Sequence, residues 1–141
     1  MPTGFLVSTQ ALGAGLSALE DALRGERLPD EAVLELRLVA EELLTNVAAY
    51  GHEGADEHWV SVELALEGAD VTLRFVDDGR PFDPLAAAPP DLTVPVEDRP
   101  VGGLGVHLVR SLVDDAAYER VEGQNVLTLR KRVGPPPDDV A

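Results

Sequence analysis

The stretch EAVLELRLVAEELLTNVAAYG, residues 31–51, decides the fold, because its apolar side chains recur every three or four residues, as in one long helix. Pro29, Asp30 and Glu31 suit the first turn of that helix, and Gly51 suits its end. At about 100° per residue the apolar side chains form a single stripe. The stripe consists of Ala32, Val33, Leu36, Val39, Ala40, Leu43, Leu44 and Val47. A helix with one apolar stripe needs a second layer to cover it.

Two pairs of alternating segments predict that second layer. WVSVELALE (59–67) and VTLRFVDDG (71–79) each place apolar residues on one face, and the GAD between them suits a turn. AAYERVEG (116–123) and NVLTLRKRV (125–133) predict a second hairpin, and FLVS (5–8) a short first strand. We therefore expect a mostly antiparallel or mixed β-sheet.

Two further segments have helical spacing, at residues 10–24 and 106–116, although two glycines weaken the first. Helices on one side of hairpins predict the fold class, an α+β two-layer sandwich. We expect a single domain over residues 1–134 and a disordered, proline-rich tail at 135–141.

The composition excludes several classes of function. The net charge is −15, from 26 acidic and 11 basic residues, so we expect no direct nucleic-acid binding. The acidic residues form either a solvated surface or a face for a basic protein partner. Without cysteine, the chain has no disulfide, thiolate metal site or cysteine nucleophile. No secretory signal or membrane span is visible, and we expect a cytoplasmic protein with no membrane partner.

The long helix carries the first motif with chemical meaning. Glu42 and Asn46 lie one turn and about 40° apart, on the rim of the apolar stripe. Such a pair is either a surface glutamate beside a locally bonded amide, or the edge of a cleft.

The second motif, FVDDGRPFDP (75–84), follows an apolar strand. Asp77 and Gly79 at a strand end often make only a turn. A carboxylate there can also accept a hydrogen bond from the exocyclic amine of a base, and glycine lets a planar ring approach closely.

The third motif, GGLGVHLV (102–109), leads glycines directly into a helix, where free backbone N–H groups bind phosphate. It lacks the Lys-Ser or Lys-Thr of a P-loop and the preceding parallel strand of a dinucleotide fold. Between the last two motifs lies a proline- and glycine-rich loop, and so long a loop in a compact domain is usually functional or mobile.

In this order and spacing, the three motifs resemble the N, G1 and G2 boxes of the GHKL (Bergerat-fold) ATPases, the superfamily of gyrase, MutL and histidine kinases. The resemblance covers roughly residues 30–132 and is closest to the anti-sigma factor serine-protein kinases of the RsbW type. It implies that Asn46 coordinates Mg²⁺ on the ATP phosphates and that Glu42 is the catalytic general base. It further implies that Asp77 binds the adenine amine, with Gly79 as its companion.

The resemblance also assigns the glycine-rich segment. Gly103 and Gly105, with Leu104 between them, would close over the ATP phosphates. Residues 80–102 would be the lid over the nucleotide, and Arg99 is a candidate phosphate partner within it. The kinase type often carries a histidine a few residues after the N-box asparagine, whereas this chain has Tyr50 and then His52.

The implied function is an ATP-dependent protein serine kinase of the anti-sigma type. It would sequester a sigma factor and phosphorylate a STAS-domain antagonist, and the resemblance also implies a homodimer. The alternative is a non-catalytic, nucleotide-dependent protein-binding module of the same fold. A detached histidine-kinase domain is disfavoured because no phospho-acceptor hairpin precedes the N box, and gyrase-like or MutL-like readings need a further domain.

Overall fold

A computed structural model describes residues 3–50, 57–85 and 103–133, and the side chains of Tyr50 and of residues 103–107 lie outside this description. Within it the chain forms five strands and three helices. In chain order they are β1 (Thr3–Ser8), α1 (Leu12–Gly25), α2 (Asp30–Tyr50), β2 (Trp59–Glu67), β3 (Asp70–Asp77), α3 (Gly103–Leu112), β4 (Asp115–Val121) and β5 (Gln124–Arg132).

The five strands form one sheet in the order β1-β2-β3-β5-β4, and every pairing between the described strands is antiparallel. Two-residue loops close both predicted hairpins. In the β4–β5 loop Glu122 and Gly123 have φ values of 48° and 81°, the left-handed pair that matches the twist of a tight hairpin. The predicted two-layer α+β fold is confirmed, with an antiparallel rather than a mixed sheet.

The core lies between the helices and one face of this sheet. Every residue of the predicted α2 stripe is buried, and so are the inward residues of the central strands, such as Leu64, Leu73 and Leu129. Helix α2 contacts both α1 and α3, so it is the central element of the helical layer. On the outer face of the sheet Leu6 and Trp59 are exposed.

The predicted helix at 106–116 was wrong at both ends, since α3 runs from Gly103 to Leu112. Its end is set by the sheet. The amide of Asp114 donates to the carbonyl oxygen of Arg130 over 2.9 Å, which starts the β4–β5 pairing. Lys131 on β5 donates from Nζ to the carbonyl oxygen of Leu112 over 2.7 Å, and so satisfies a C-terminal helix acceptor.

Several predictions fall on residues outside the described ranges: Arg99, His52, most of the proposed lid and the tail. Among the described helices none combines the length and the apolar character that crossing a membrane requires.

Candidate functional site

A cleft opens between the C-terminal half of α2 and the inner face of the sheet. Its walls are mostly apolar, with one carboxylate, one amide and one phenol. The lining residues are Leu43, Leu44 and Val47 of α2, Phe75 and Asp77 of β3, Phe82 and Pro84 of the following turn, Tyr118 of β4, and Asn125 and Leu127 of β5. An apolar cleft with a few convergent polar groups is typical of small-molecule sites.

The cleft is narrow, with a cavity volume of about 10 Å³, which is room for about one water molecule. A planar ring therefore enters only if a wall moves. Phe82 and Pro84 form the wall that belongs to neither a helix nor a strand.

Asp77 ends β3 half-buried and faces the cleft. Its Oδ1 accepts hydrogen bonds from the amide of Gly79 over 2.9 Å and from Nδ2 of Asn125 over 3.0 Å. The interpretation of this motif as a turn is therefore confirmed. The same carboxylate also lines the cleft, so the turn fixes one oxygen of the group that a ligand would meet.

Asn125 is the polar residue that the sequence analysis missed. It is 4% exposed, and β5 places it directly opposite Asp77 in the sheet register. The signal was the alternation of β5, because Asn125 shares the inward face with Leu127 and Leu129 and is a buried polar residue there. Recognising its role also requires the pairing of β3 with β5, which no local pattern supplies.

The chain after Asp77 is fastened to the sheet. Nη1 of Arg120 on β4 donates to the carbonyl oxygen of Gly79 over 2.7 Å, and the amide of Phe82 donates to Oδ1 of Asn125 over 3.2 Å. Further on, Leu85 is buried, and its carbonyl oxygen accepts from Nη2 of Arg110 over 3.0 Å. The first residues of the predicted lid are thus held against the domain, and residues 86–102 lie outside the description.

The two residues of the N-box motif lie on α2 beside the cleft. Asn46 is 5% exposed, so it is buried and does not lie on the rim where the sequence placed it. Glu42 is half-buried. Glu41, in contrast, is exposed and lies 3.7 Å from Nη1 of Arg37. Among the described residues the ion pairs of α2 include Glu41 and Glu35 but not Glu42.

Gly103, Leu104 and Gly105 form the first turn of α3. The expectation that glycines lead into a helix here is met by the backbone. Helix α3 packs against α2, so the two helices belong to one layer.

The cleft offers suitable chemistry for a base, provided that a wall moves to admit it. A carboxylate selects an amine donor, and the apolar walls suit a flat ring. Among the described residues no group of three or more His, Asp or Glu could hold a metal ion by itself.

Comparison with known proteins gives one family. The family described as "Histidine kinase-like ATPase domain" matches residues 7–131. The serine/threonine-protein kinase BtrW of Bordetella bronchiseptica is 30% identical over 100 residues, which is 71% of this chain and 70% of BtrW. The serine-protein kinase RsbW of Listeria monocytogenes is 28% identical over 104 residues, which is 71% of this chain and 66% of RsbW.

Among solved structures, the fold matches the crystal structure of the RsbU and RsbW domains of a Mycobacterium tuberculosis protein. The TM-score is 0.68 at 16% sequence identity, and the match covers 96% of this chain and 33% of that chain. At this identity the likeness concerns the fold.

Proposed function

The chain belongs to the histidine kinase-like ATPase domain family, and on that premise we propose that it binds Mg-ATP in the cleft and transfers the γ-phosphoryl group to a serine of a protein partner. The resemblance to the family, the fold class and the assignment to the serine-kinase type are confirmed by the matches to the family and to BtrW and RsbW. The residue roles, Mg²⁺ and the partners are our proposal.

The observation that carries the proposal is a carboxylate in an apolar cleft below the N-box helix. Asp77 lies among apolar walls that include Leu43 and Val47 of α2. With Oδ1 engaged by Gly79 and Asn125, we assign Oδ2 as the acceptor for the exocyclic amine of adenine. Guanine presents a carbonyl acceptor at that position, so the cleft should discriminate against it.

We assign the phosphate end to the part of α2 that carries Asn46. In support, Asn46 is the chain neighbour of Val47, a residue of the cleft wall. An amide oxygen is a hard ligand, and Mg²⁺ is typically held by one or two protein oxygens, waters and substrate phosphates. Asn46 thus fits a metal shared with ATP, which would neutralise charge on the phosphates when bound. Gly103 and Gly105, at the start of α3, supply backbone N–H groups for the phosphates.

Glu42 is the general base in this proposal. It lies one turn before Asn46 and is half-buried, so its carboxylate can reach a hydroxyl at the phosphate end. It takes the proton of the serine hydroxyl while the hydroxyl oxygen bonds to the γ-phosphorus. The bond from the γ-phosphorus to the bridging oxygen breaks, and ADP leaves. Positioning and electrostatics account for most of such catalysis.

The partners are proposed by class. We assign a STAS-domain antagonist as the serine substrate and a sigma factor as the sequestered protein, because the relatives are named as RsbW-type serine kinases. The net charge of −15 favours partners with basic surfaces. We also propose that Arg99 contacts the phosphates, that the chain forms a homodimer and that its single domain ends at residue 134.

The test is phosphate transfer from γ-labelled ATP to a serine of a candidate STAS-domain protein, with nucleotide affinity measured in parallel by calorimetry. Transfer that is lost in Glu42→Gln while ATP still binds supports the kinase. ATP binding without transfer to any candidate in the wild type favours the non-catalytic module. Equal affinity for ATP and GTP contradicts the adenine site.

A further inference from the structure

Asn125 has more polar contacts than any other described side chain at the cleft. Its partners lie on β3, in the turn after β3 and on β4. Its Nδ2 donates to Oδ1 of Asp77 over 3.0 Å and to the carbonyl oxygen of Arg80 over 2.8 Å. Its Oδ1 accepts from the amide of Phe82 over 3.2 Å, from the hydroxyl of Tyr118 over 2.5 Å and from Nη1 of Arg120 over 3.1 Å.

These contacts determine which way the amide points. Both acceptors, on Asp77 and Arg80, lie at the nitrogen, and all three donors lie at the oxygen. An inverted amide would set oxygen against oxygen on one side and N–H against N–H on the other. At 4% exposure, water cannot compensate for such mismatches, so the orientation is fixed.

We propose that Asn125 is the positioning residue for base recognition: it holds Asp77 so that Oδ2 meets adenine, and it ties the turn at Arg80 and Phe82 to the same point. The inference rests on the proposed function, since it concerns the adenine site at Asp77. It goes further by assigning base specificity to a residue of β5 that touches no substrate, and by joining the base site to the turn at Arg80 and Phe82 that follows β3.

The physical reason is that one amide serves two purposes. Oδ1 of Asp77 receives two donors, from Gly79 and Asn125, which leaves the carboxylate little rotational freedom. A fixed acceptor discriminates better between an amine and a carbonyl than a rotating one does. Phe82 forms a wall of the cleft, and its backbone amide donates to the same Asn125. The backbone of this wall is therefore tied to the carboxylate, and the side chains of the wall are what must move to admit a ring.

The decisive variant is Asn125→Asp, which replaces a donor facing Asp77 with an acceptor. The charged and titratable groups facing position 125 are Asp77 on β3 and Tyr118 and Arg120 on β4. Two carboxylates at this distance share a proton, so one pKa of the pair is raised. Arg120 opposes this rise, but it contacts the oxygen on the other side. When protonated, the new carboxyl can donate to Asp77 as the amide does.

The expected result is a pH-dependent loss of ADP affinity in the Asn125→Asp variant. At pH 8 the pair is ionised, and we expect ADP to bind about 10- to 100-fold more weakly than to the wild type, the range for a lost hydrogen bond to a charged group. As the pH falls towards 5.5 the pair gains a proton, and affinity should recover. Calorimetry with ADP across this range gives the ratio of the dissociation constant of the variant to that of the wild type. The titration of the nucleotide phosphates cancels in this ratio.

Two further variants make the test specific. Thr128→Asp adds the same charge on the outer face of β5, opposite Arg74 and away from Asp77, and should leave the ratio near one at every pH. Asn125→Ala should lose affinity without recovery at low pH. An Asn125→Asp variant with unchanged affinity, or with a loss that does not depend on pH, would overturn the inference.

If Asn125→Asp does not fold, Tyr118→Phe tests the same network more gently. It removes the donor that holds Oδ1 of Asn125 over 2.5 Å, so we expect a loss of ADP affinity of about 3- to 10-fold and a reduced preference for ADP over GDP. An unchanged preference contradicts the inference. The proposed function has a separate test, because it is contradicted if the Asp77→Asn variant binds ADP as tightly as the wild type does.

Discussion

The two ends of the proposed site differ in how firmly other residues hold their functional side chains. At the proposed base end, Asp77 already has two donors on one oxygen, and its neighbours in the network lie on β4, on β5 and in a turn. At the phosphate end, Glu42 and Asn46 are set by their positions on one helix, and no described ion pair holds Glu42. In the proposed site, base recognition is built into the sheet, whereas phosphate chemistry relies on α2 and on the arriving ligand. Variants at the two ends should therefore separate binding from transfer.

The largest expected effect is at Glu42. Glu42→Gln keeps the size and the hydrogen-bonding capacity of the side chain but removes the base. We expect phosphoryl transfer to fall by about 10²- to 10⁴-fold, the usual contribution of a positioned general base, with ATP affinity almost unchanged. Single-turnover transfer and calorimetry measure the two quantities.

Glu41→Gln is the matched control, because Glu41 is exposed and paired with Arg37 one turn back. It should transfer phosphate nearly as the wild type does, since an exposed i,i+4 pair contributes little. An inactive Glu41→Gln beside an active Glu42→Gln would mean that the register of the N box is shifted.

Asn46→Ala comes next and tests the metal. Removing a ligand should weaken binding of Mg-ATP by at least about 10- to 100-fold, since even partners that only orient metal ligands have this effect. With a chelator present, wild type and variant should bind ATP equally, because the ligand then has no metal to hold. A loss of the same size with and without Mg²⁺ would assign Asn46 to packing, in agreement with its 5% exposure, and not to the metal.

Asp77→Asn should have a smaller effect and a different character. We expect ATP affinity to fall by about 1–3 kcal/mol, the range for a lost hydrogen bond to a charged group. The relative affinity for GTP should rise, because an amide offers a donor to the guanine carbonyl. Calorimetry with both nucleotides checks this, and an unchanged ATP-to-GTP ratio would place the base elsewhere.

The residues of the candidate site differ in how far the sequence could predict them. The stripe of α2 and the position of Glu42 follow from helical periodicity, and Asp77 follows from a motif at a strand end. Asn125 was missed because its partners Asp77 and Phe82 lie 48 and 43 residues away. Their contact depends on the register between β3 and β5. The end of α3 was missed for the same reason, since Lys131 on another strand bonds to its last turn.

The glycines of α1 show the same limit and give the smallest expected effects, remote from both ends of the cleft. Helical propensity alone treats Gly13 and Gly15 alike, as weak points of the helix. In the structure they differ. A Cβ at Gly15 would lie 2.5 Å from Cγ1 of Val7, whereas a Cβ at Gly13 would have nothing within 4 Å. Gly15 is thus where α1 approaches β1 most closely.

The two alanine substitutions should therefore act in opposite directions on stability. Gly15→Ala forces Val7, which is 1% exposed, to move against the sheet, and overpacking of this kind outweighs the gain in helix propensity. We expect the free energy of unfolding to fall by about 1–2 kcal/mol. Gly13→Ala should raise it by about 0.5 kcal/mol, because alanine loses less backbone entropy in a helix. Denaturant unfolding measures both.

At temperatures where both variants are folded, neither should change the ratio of ATP to GTP affinity or separate binding from transfer, because α1 contributes no residue to the cleft wall. A change in nucleotide selectivity in Gly15→Ala would show that the base end depends on the packing of α1 against β1, and the distinction between a base site fixed by the sheet and a phosphate site fixed by α2 would then be too simple.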